Sequence, residues 1–146
     1  KYSYSKCDFF KDYFYELEKI CKSDYKMLSE LNKDLIKYLC KILNINTKFS
    51  DDSTYAFKTK KLDYIKDICI EKNCKNYVST LGSKNYIKNL KYIPNTQIKI
   101  NFYDFKDLEY SQKTGKFISR LSILDLIFNL GPESLKYLRN NFFLCN

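Results

Sequence analysis

The sequence predicts an α/β fold: a small, open and mainly parallel sheet with flanking helices, preceded by a helical hairpin. Three observations predict it. Apolar residues recur at helical spacing through the first 44 residues. After residue 44, short segments rich in β-forming residues alternate with a helical segment. A glycine-containing loop then follows one of the predicted strands, as at the carboxyl edge of parallel sheets. Residues 45–146 are therefore expected to form a Rossmann-like fragment of three layers.

The first 44 residues predict two amphipathic helices, over 8–22 and 28–43. In the second helix, Leu28, Leu31 and Leu35 share a face, and lysines occupy the opposite face. Because a short charged break joins the two helices, they are expected to pack as a helical hairpin over residues 1–44.

The remaining residues, 45–146, predict the α/β part. Residues 45–49 and 76–79 are candidate strands, and 60–72 is a helix between them. Strand, helix and strand in this order indicate a βαβ unit with a right-handed crossover. Residues 97–105 alternate apolar and polar side chains, which predicts a half-buried strand, placed here at a sheet edge. A helix over 133–144 is expected to end in an apolar tail that docks on the sheet.

Length and composition indicate one folded domain over 1–146. The chain has 146 residues, of which 45% are hydrophobic and 17% aromatic, enough to form a core and to exclude a disordered chain. No apolar run approaches the roughly 18 residues that a membrane span needs, so none is expected.

The net charge of +9 raises the question of nucleic acid. Only Arg120 and Arg139 are arginines among the 26 basic residues, whereas readers of bases and phosphates rely on arginine. No recognition motif accompanies the charge. We therefore expect no nucleic-acid partner, and only a mild attraction to anionic ligands.

The reactive residue types narrow the chemistry. The chain has no histidine, so Ser-His-Asp and Cys-His sites are excluded. The six cysteines form no CxxC pair, so we expect no metal site and no disulfide framework, which places the protein in a reducing cytoplasm. Carboxylate, lysine, tyrosine and backbone groups remain, and the sequence identifies no cofactor.

A polar stripe runs along an otherwise apolar helix near residues 117–131. Ser122, Asp125 and Asn129 fall together on one side of this helix, and residues 121–130 contain no lysine. One interpretation is that the stripe faces a polar pocket. The other is helix capping, since Ser122 followed three residues later by Asp125 has the form of a capping box.

The loop after the strand at 76–79 is a second candidate. Gly82, Ser83 and Lys84 lie where parallel sheets bind ligands, so backbone N–H groups and the lysine could hold an anion. The spaced glycine of a Walker A motif is missing. The alternative is an ordinary turn.

Three motifs carry a resemblance to the WbqC-like proteins, a bacterial family associated with O-antigen and surface-polysaccharide gene clusters. The run 117–132 resembles that family's aromatic followed by Leu-Ser-Ile-(Ile/Leu)-Asp-(Leu/Val)-(Leu/Ile). Residues 77–86 resemble its Tyr-x-x-Pro-x-Gly-(Gly/Ser)-Lys-x-x-Tyr loop, with Thr80 in place of proline, and Tyr110-Ser-Gln112 resembles its Tyr-x-Gln step. The helix pair also matches in pattern.

Nothing in this chain corresponds to the family's aromatic- and proline-rich N-terminal segment, and the chain begins at Lys1. We therefore interpret it as the C-terminal part of a longer chain.

The resemblance implies a role in making bacterial surface glycans, by transfer of an amino acid such as glycine, or a related acyl group, to the amine of an amino sugar. Asp125 is the predicted catalytic carboxylate, which would take the proton of that amine. Gly82, Ser83 and Lys84 would bind phosphate of a nucleotide-linked sugar. The other substrate-binding residues predicted on this basis are Tyr86, Tyr110, Gln112, Ser122 and Asn129.

A non-catalytic role is the alternative. In that case the chain is a binding or structural module that supports catalysis located elsewhere. It would then contact the missing N-terminal segment or form an oligomer.

Overall fold

A computed structural model of the protein describes residues 3–87, 90–113 and 115–145, except for the side chain of Tyr86. It confirms the α/β class. The helices are α1 (Phe10–Lys22), α2 (Leu28–Ile42), α3 (Leu62–Glu71), α4 (Lys84–Ile87), α5 (Ile123–Leu130) and α6 (Ser134–Asn141). The strands are β1 (Asn76–Thr80), β2 (Lys99–Phe105) and β3 (Phe142–Cys145).

The described residues form two compact units. The first, here called the helical unit, comes from Lys1–Lys48 and Asp107–Asn141. The second, here called the sheet unit, comes from Phe49–Lys106 and Phe142–Asn146. The single domain over 1–146, with subregions 1–44 and 45–146, stays a prediction.

The helical hairpin at the start of the chain is confirmed. Helices α1 and α2 pack against each other, and the Tyr38 hydroxyl of α2 donates a hydrogen bond of 2.6 Å to the carbonyl oxygen of Tyr13 in α1. Phe10 and Leu17 are buried in the core of the helical unit together with Phe128 of α5. The amphipathic pattern thus places the apolar face of α1 where it was expected.

Helix α5 is fixed at both ends. At its start, the Ser122 side chain accepts a hydrogen bond of 3.3 Å from the Leu124 backbone N–H. At its end, Gly131 has a φ of +53°, and an added Cβ there would lie 2.4 Å from the Phe9 ring. Both the backbone angle and the close approach require glycine.

The sheet is mixed, which corrects the mainly parallel prediction. Its order among the described strands is β1-β2-β3. Strand β1 pairs in parallel with β2, from Asn76 opposite Lys99 to Thr80 opposite Tyr103. Strand β3 pairs antiparallel with β2. The apolar tail of residues 142–144, expected to continue a helix, instead forms most of β3, because its aromatic side chains favour strand structure. Strand β2 is consequently central, and its predicted edge position was wrong.

The first predicted strand, at 45–49, is absent from this described segment. Ile45 instead closes the end of α2: its backbone N–H donates to the Cys40 carbonyl at 2.8 Å, while Asn44 adopts a φ of +51°. This is the Schellman geometry of a helix C-terminus. The observed parallel crossover runs from β1 through α4 to β2, and the Rossmann-like layering stays a prediction.

The core of the sheet unit confirms the period-two pattern of the β2 segment. Ile98, Ile100 and Phe102 are buried, together with Cys69, Ile87 and Ile93. Within the described residues, no helix has the length and apolar character that crossing a membrane requires.

Candidate functional site

Asp125 lies at the centre of a hydrogen-bonded cluster in the helical unit. It belongs to the first turn of α5 and is only 2% exposed. Its Oδ2 atom accepts hydrogen bonds from the Tyr110 hydroxyl at 2.6 Å and from Gln112 Nε2 at 3.0 Å. Two residues taken from one sequence motif thus converge on a carboxylate taken from another.

Tyr4 is a third neighbour of this carboxylate. Burial raises the pKa of Tyr4 most, and the charge of Asp125 and a side-chain hydrogen bond to it raise that pKa further. Burial also raises the pKa of Tyr110, with the hydrogen bond to Asp125 as the next cause. Both hydroxyls therefore stay protonated and act as donors toward Asp125.

Gln112 ties the loop before α5 to the same cluster. Its Nε2 also donates to the Ile118 carbonyl at 2.9 Å, and its Oε1 accepts from the Ile118 backbone N–H at 2.8 Å. The Tyr110 ring packs edge-on against Phe117 and Tyr137, with ring centroids 5.2 and 5.3 Å away. The loop is thereby held against α5 by both polar and aromatic contacts.

Asn129 continues the polar stripe one turn further along α5. Its Nδ2 donates to the Asp125 carbonyl at 2.8 Å, and its Oδ1 accepts from the Lys113 backbone N–H at 3.2 Å. Ser122, in contrast, is exposed and caps the helix. Capping therefore accounts for Ser122, while Asp125 and Asn129 bind the preceding loop. The catalytic role of Asp125 and the substrate-binding roles of Ser122 and Asn129 stay predictions.

The electrostatic environment of Asp125 consists of neutral donors. Among the ion pairs of the described residues, none includes Asp125; Lys113 and Asp8 form one at 2.9 Å, with both side chains substantially exposed. Buried carboxylates usually have a charged partner. This one instead receives hydrogen bonds from tyrosine and glutamine side chains.

The loop Gly82-Ser83-Lys84 follows β1 in the sheet unit, at the carboxyl end of a parallel strand. The Ser83 hydroxyl donates to the Thr80 carbonyl at 2.7 Å and lies 2.6 Å from the Ser79 hydroxyl. A Cβ added at Gly82 would meet only Thr80 Oγ1, at 3.8 Å. Turn formation therefore accounts for Ser83, and space does not require glycine. The side chain of Tyr86 lies outside what the structure describes.

Lys84 lines a cavity of about 740 Å³ in the sheet unit. Lys91 and Lys99 line it too, together with Tyr92, Asn101 and Phe102. The Lys84 Nζ atom lies 5.8 Å from the centroid of the Phe102 ring. Gly82 and Ser83 are not among the described residues that line this cavity.

Sequence reasoning missed Lys91 and Lys99. The turn around Pro94 and Asn95 brings them together: the Ile93 N–H donates to the Ile98 carbonyl at 3.0 Å, and the Ile100 N–H donates to the Lys91 carbonyl at 2.9 Å. The Pro-Asn dipeptide between two apolar runs was the available signal for this hairpin. In the parts of the chain that the structure describes, no group of three or more Cys, Asp or Glu residues could hold a metal ion.

Comparison with known proteins identifies the family of this chain. The model of the WbqC-like protein family matches residues 1–137, so the chain belongs to this family. It is 30% identical over 113 residues to the uncharacterized protein Rv1507c of Mycobacterium tuberculosis (strain ATCC 25618 / H37Rv). That match covers 77% of this chain and 48% of the relative, so the chain spans about half the length of the curated relative. No solved structure matches this chain.

Proposed function

We propose that this protein acts in the biosynthesis of bacterial surface polysaccharide such as O-antigen, and that it does so in the cytoplasm. The proposed reaction transfers glycine, or a related acyl group, to the amine of an amino sugar carried by a nucleotide. Family membership supports the pathway, and the Asp125 cluster supports the reaction. The single observation that carries the proposal is a buried carboxylate held by neutral donors.

The chemistry assigned to Asp125 is proton transfer. The amine nitrogen of the sugar attacks the acyl carbonyl, a nitrogen–carbon bond forms, and the bond from that carbonyl to the donor's leaving group breaks. The nitrogen must lose a proton as it attacks, and the Asp125 carboxylate takes it. The sugar nitrogen enters this step as a neutral amine, because an ammonium group has no lone pair with which to attack.

Tyr110 and Gln112 act in this proposal as positioning residues. Both donate to Oδ2 of Asp125, which orients the carboxylate and limits its rotation. Because Asp125 is 2% exposed, a tyrosine at the cluster must move aside for a substrate to reach it. The Tyr110 ring is only half-buried, so a change of its rotamer is the simplest route, and Gln112 then keeps the Asp125 carboxylate oriented.

The burial of Asp125 also fits a second, non-catalytic function. The hydrogen bonds described for the Asp125 side chain come from residues of its own unit, as expected of a carboxylate that only folds the loop onto α5. The chain would then be a binding or structural module, and catalysis would lie outside it.

The experiment compares the Asp125→Asn variant with wild type, both as full-length protein. A panel of nucleotide-linked amino sugars is incubated with glycine donors, and acyl transfer is read as a mass shift. We expect turnover per folded molecule to fall roughly 100-fold or more, because asparagine cannot take a proton. Asparagine also places an NH₂ group among hydrogen-bond donors, so the free energy of unfolding should fall by about 1–3 kcal/mol. The folded fraction is therefore measured by circular dichroism.

Asp107→Asn is the matched control. The Asp107 carboxylate accepts from the Arg120 backbone N–H at 2.6 Å in the same loop, and an amide oxygen can replace it there. This variant should retain turnover. Normal turnover per folded molecule in Asp125→Asn would contradict the catalytic assignment and support the structural alternative.

A further inference from the structure

We propose that the cavity of the sheet unit is a diphosphate-binding site, in which Lys91 and Lys99 act together with Lys84. The ligand class is a nucleoside diphosphate or a sugar linked to one; its link to an amino sugar rests on the proposed function. Neither Lys91 nor Lys99 belongs to the motifs that pointed to Lys84. The inference depends on the architecture, the charge and the shape of the cavity.

The architecture fixes the backbone positions of the three lysines. Lys84 begins α4, and Lys99 begins the central strand β2. Lys91 precedes the turn, and its carbonyl accepts from the Ile100 backbone N–H at 2.9 Å. Tyr92 and Lys99 face each other in an antiparallel bridge, so their side chains are neighbours. Three segments of the chain thus each contribute a lysine to the lining of one cavity.

The charge of the cavity is unbalanced. No aspartate or glutamate is among the described residues that line it. None of the three lysines takes part in an ion pair of the described residues, whereas Lys22, Lys66 and Lys113 do. Like charges that line one cavity repel, and a diphosphate carrying two or three negative charges would relieve that repulsion.

The shape of the cavity suits a ligand larger than inorganic phosphate. Its volume of about 740 Å³ lies within the range of small-molecule sites. Lys84 stacks over the Phe102 ring, which holds its ammonium group at the sheet. The Tyr92 ring is 52% exposed and can stack on a base or a sugar next to the phosphates.

The test measures binding by calorimetry with two probes, inorganic pyrophosphate and uridine diphosphate. The double variant Lys91→Gln/Lys99→Gln is compared with wild type in the full chain. We expect both probes to bind about tenfold more weakly or worse, because two charged contacts are lost. Raising the salt concentration should weaken wild-type binding more steeply than binding to the variant.

The matched control is Lys37→Gln/Lys41→Gln, which removes the same charge from the exposed face of α2. It should bind both probes as wild type does. Equal weakening in the control would mean that binding reflects net charge alone, and unchanged pyrophosphate affinity in the cavity variant would equally overturn the site. Tyr92→Ala should weaken the binding of uridine diphosphate but not that of pyrophosphate. An equal effect on both affinities would refute the stacking assignment.

Failure of this site and failure of the proposed function give different results. If the cavity variant loses pyrophosphate binding while wild type transfers no acyl group, the site stands and the function fails. If wild type transfers an acyl group and the cavity variant keeps the same KM for the nucleotide-linked sugar, the function stands and the site fails.

Discussion

The Asp125 cluster and the lysine-lined cavity differ in the partners of their charged side chains. The helical unit buries one carboxylate beneath tyrosine and glutamine donors, and the described bonds of that side chain stay within the unit. The sheet unit places three lysines in the lining of a cavity that has no aspartate or glutamate among its described lining residues. The partners of Asp125 stabilise the fold as well as orient its carboxylate, whereas the three lysines take part in no ion pair of the described residues.

Because of this difference, substitutions in the two regions should affect different properties, folding stability in one and ligand binding in the other. Removing an acceptor from buried donors costs free energy of folding, because the donors cannot regain water. Removing an exposed lysine costs little stability, because its ammonium group was already solvated. Substitutions in the Asp125 cluster should therefore change unfolding strongly, and those at the cavity should change ligand affinity.

The largest effect is expected for Asp125→Ala. Tyr110 and Gln112 would lose their common acceptor, so the free energy of unfolding should fall by about 3 kcal/mol or more. Urea unfolding measured by circular dichroism checks this value. Asp107→Ala, which removes a carboxylate bonded to one backbone N–H, should lose about 1 kcal/mol or less. A loss below 1 kcal/mol for Asp125→Ala would show that water enters the cluster and replaces the carboxylate.

Much of the Asp125 cluster was predictable from sequence, because its residues lie in segments that match motifs of the family. Asp125 was singled out by the polar stripe of its helix, and Tyr110 and Gln112 by the resemblance; the structure places them within hydrogen-bond distance. The periodicity of Phe10 and Leu17 likewise predicted the apolar face of α1. Periodicity works here because burial of one face dominates the choice of secondary structure.

Local patterns failed where helix ends and tertiary pairing decided the outcome. Ile45 has the composition of a strand residue, but the Schellman hydrogen bonds at the end of α2 use its backbone. Phe142 and Phe143 read as the end of a helix, but an antiparallel partner in β2 was available. Lys91 and Lys99 were missed because only the turn at Pro94 brings them together.

Gly131→Ala tests how rigidly the helical unit holds the end of α5. The positive φ and the contact with the Phe9 ring should together lower the free energy of unfolding by about 2 kcal/mol. Gly115→Ala is the control: Gly115 also has a positive φ, of +96°, but no atom lies within 4 Å of an added Cβ. Its loss should be nearer 1 kcal/mol. Equal losses in thermal or urea unfolding would mean that Phe9 moves away without cost.

Tyr110→Phe tests the donor side of the same cluster. Loss of a hydrogen bond to a carboxylate should lower the free energy of unfolding by about 1.5 kcal/mol at pH 7. The pKa of Tyr110 is raised in the folded protein, so its contribution is complete below the ordinary tyrosine pKa near 10. It declines as pH rises above that value, because the unfolded chain releases the proton first. Wild type should therefore lose stability more steeply than Tyr110→Phe as pH rises above about 10. Parallel curves from urea unfolding at each pH would contradict this assignment.

The smallest effect is expected for Lys113→Gln, which removes a surface charge within the same unit. The Lys113 ammonium group lies 2.9 Å from Asp8, but the two side chains are 43% and 62% exposed, so water and salt screen the pair. We expect a loss below about 0.5 kcal/mol, and none in 1 M salt. The Lys113 backbone N–H keeps its bond to Asn129 in this variant, whereas Asn129→Ala removes that acceptor and should lose about 1–2 kcal/mol. If Lys113→Gln instead destabilised the protein as much as Asn129→Ala, the ion pair with Asp8 would contribute more than an exposed pair normally does.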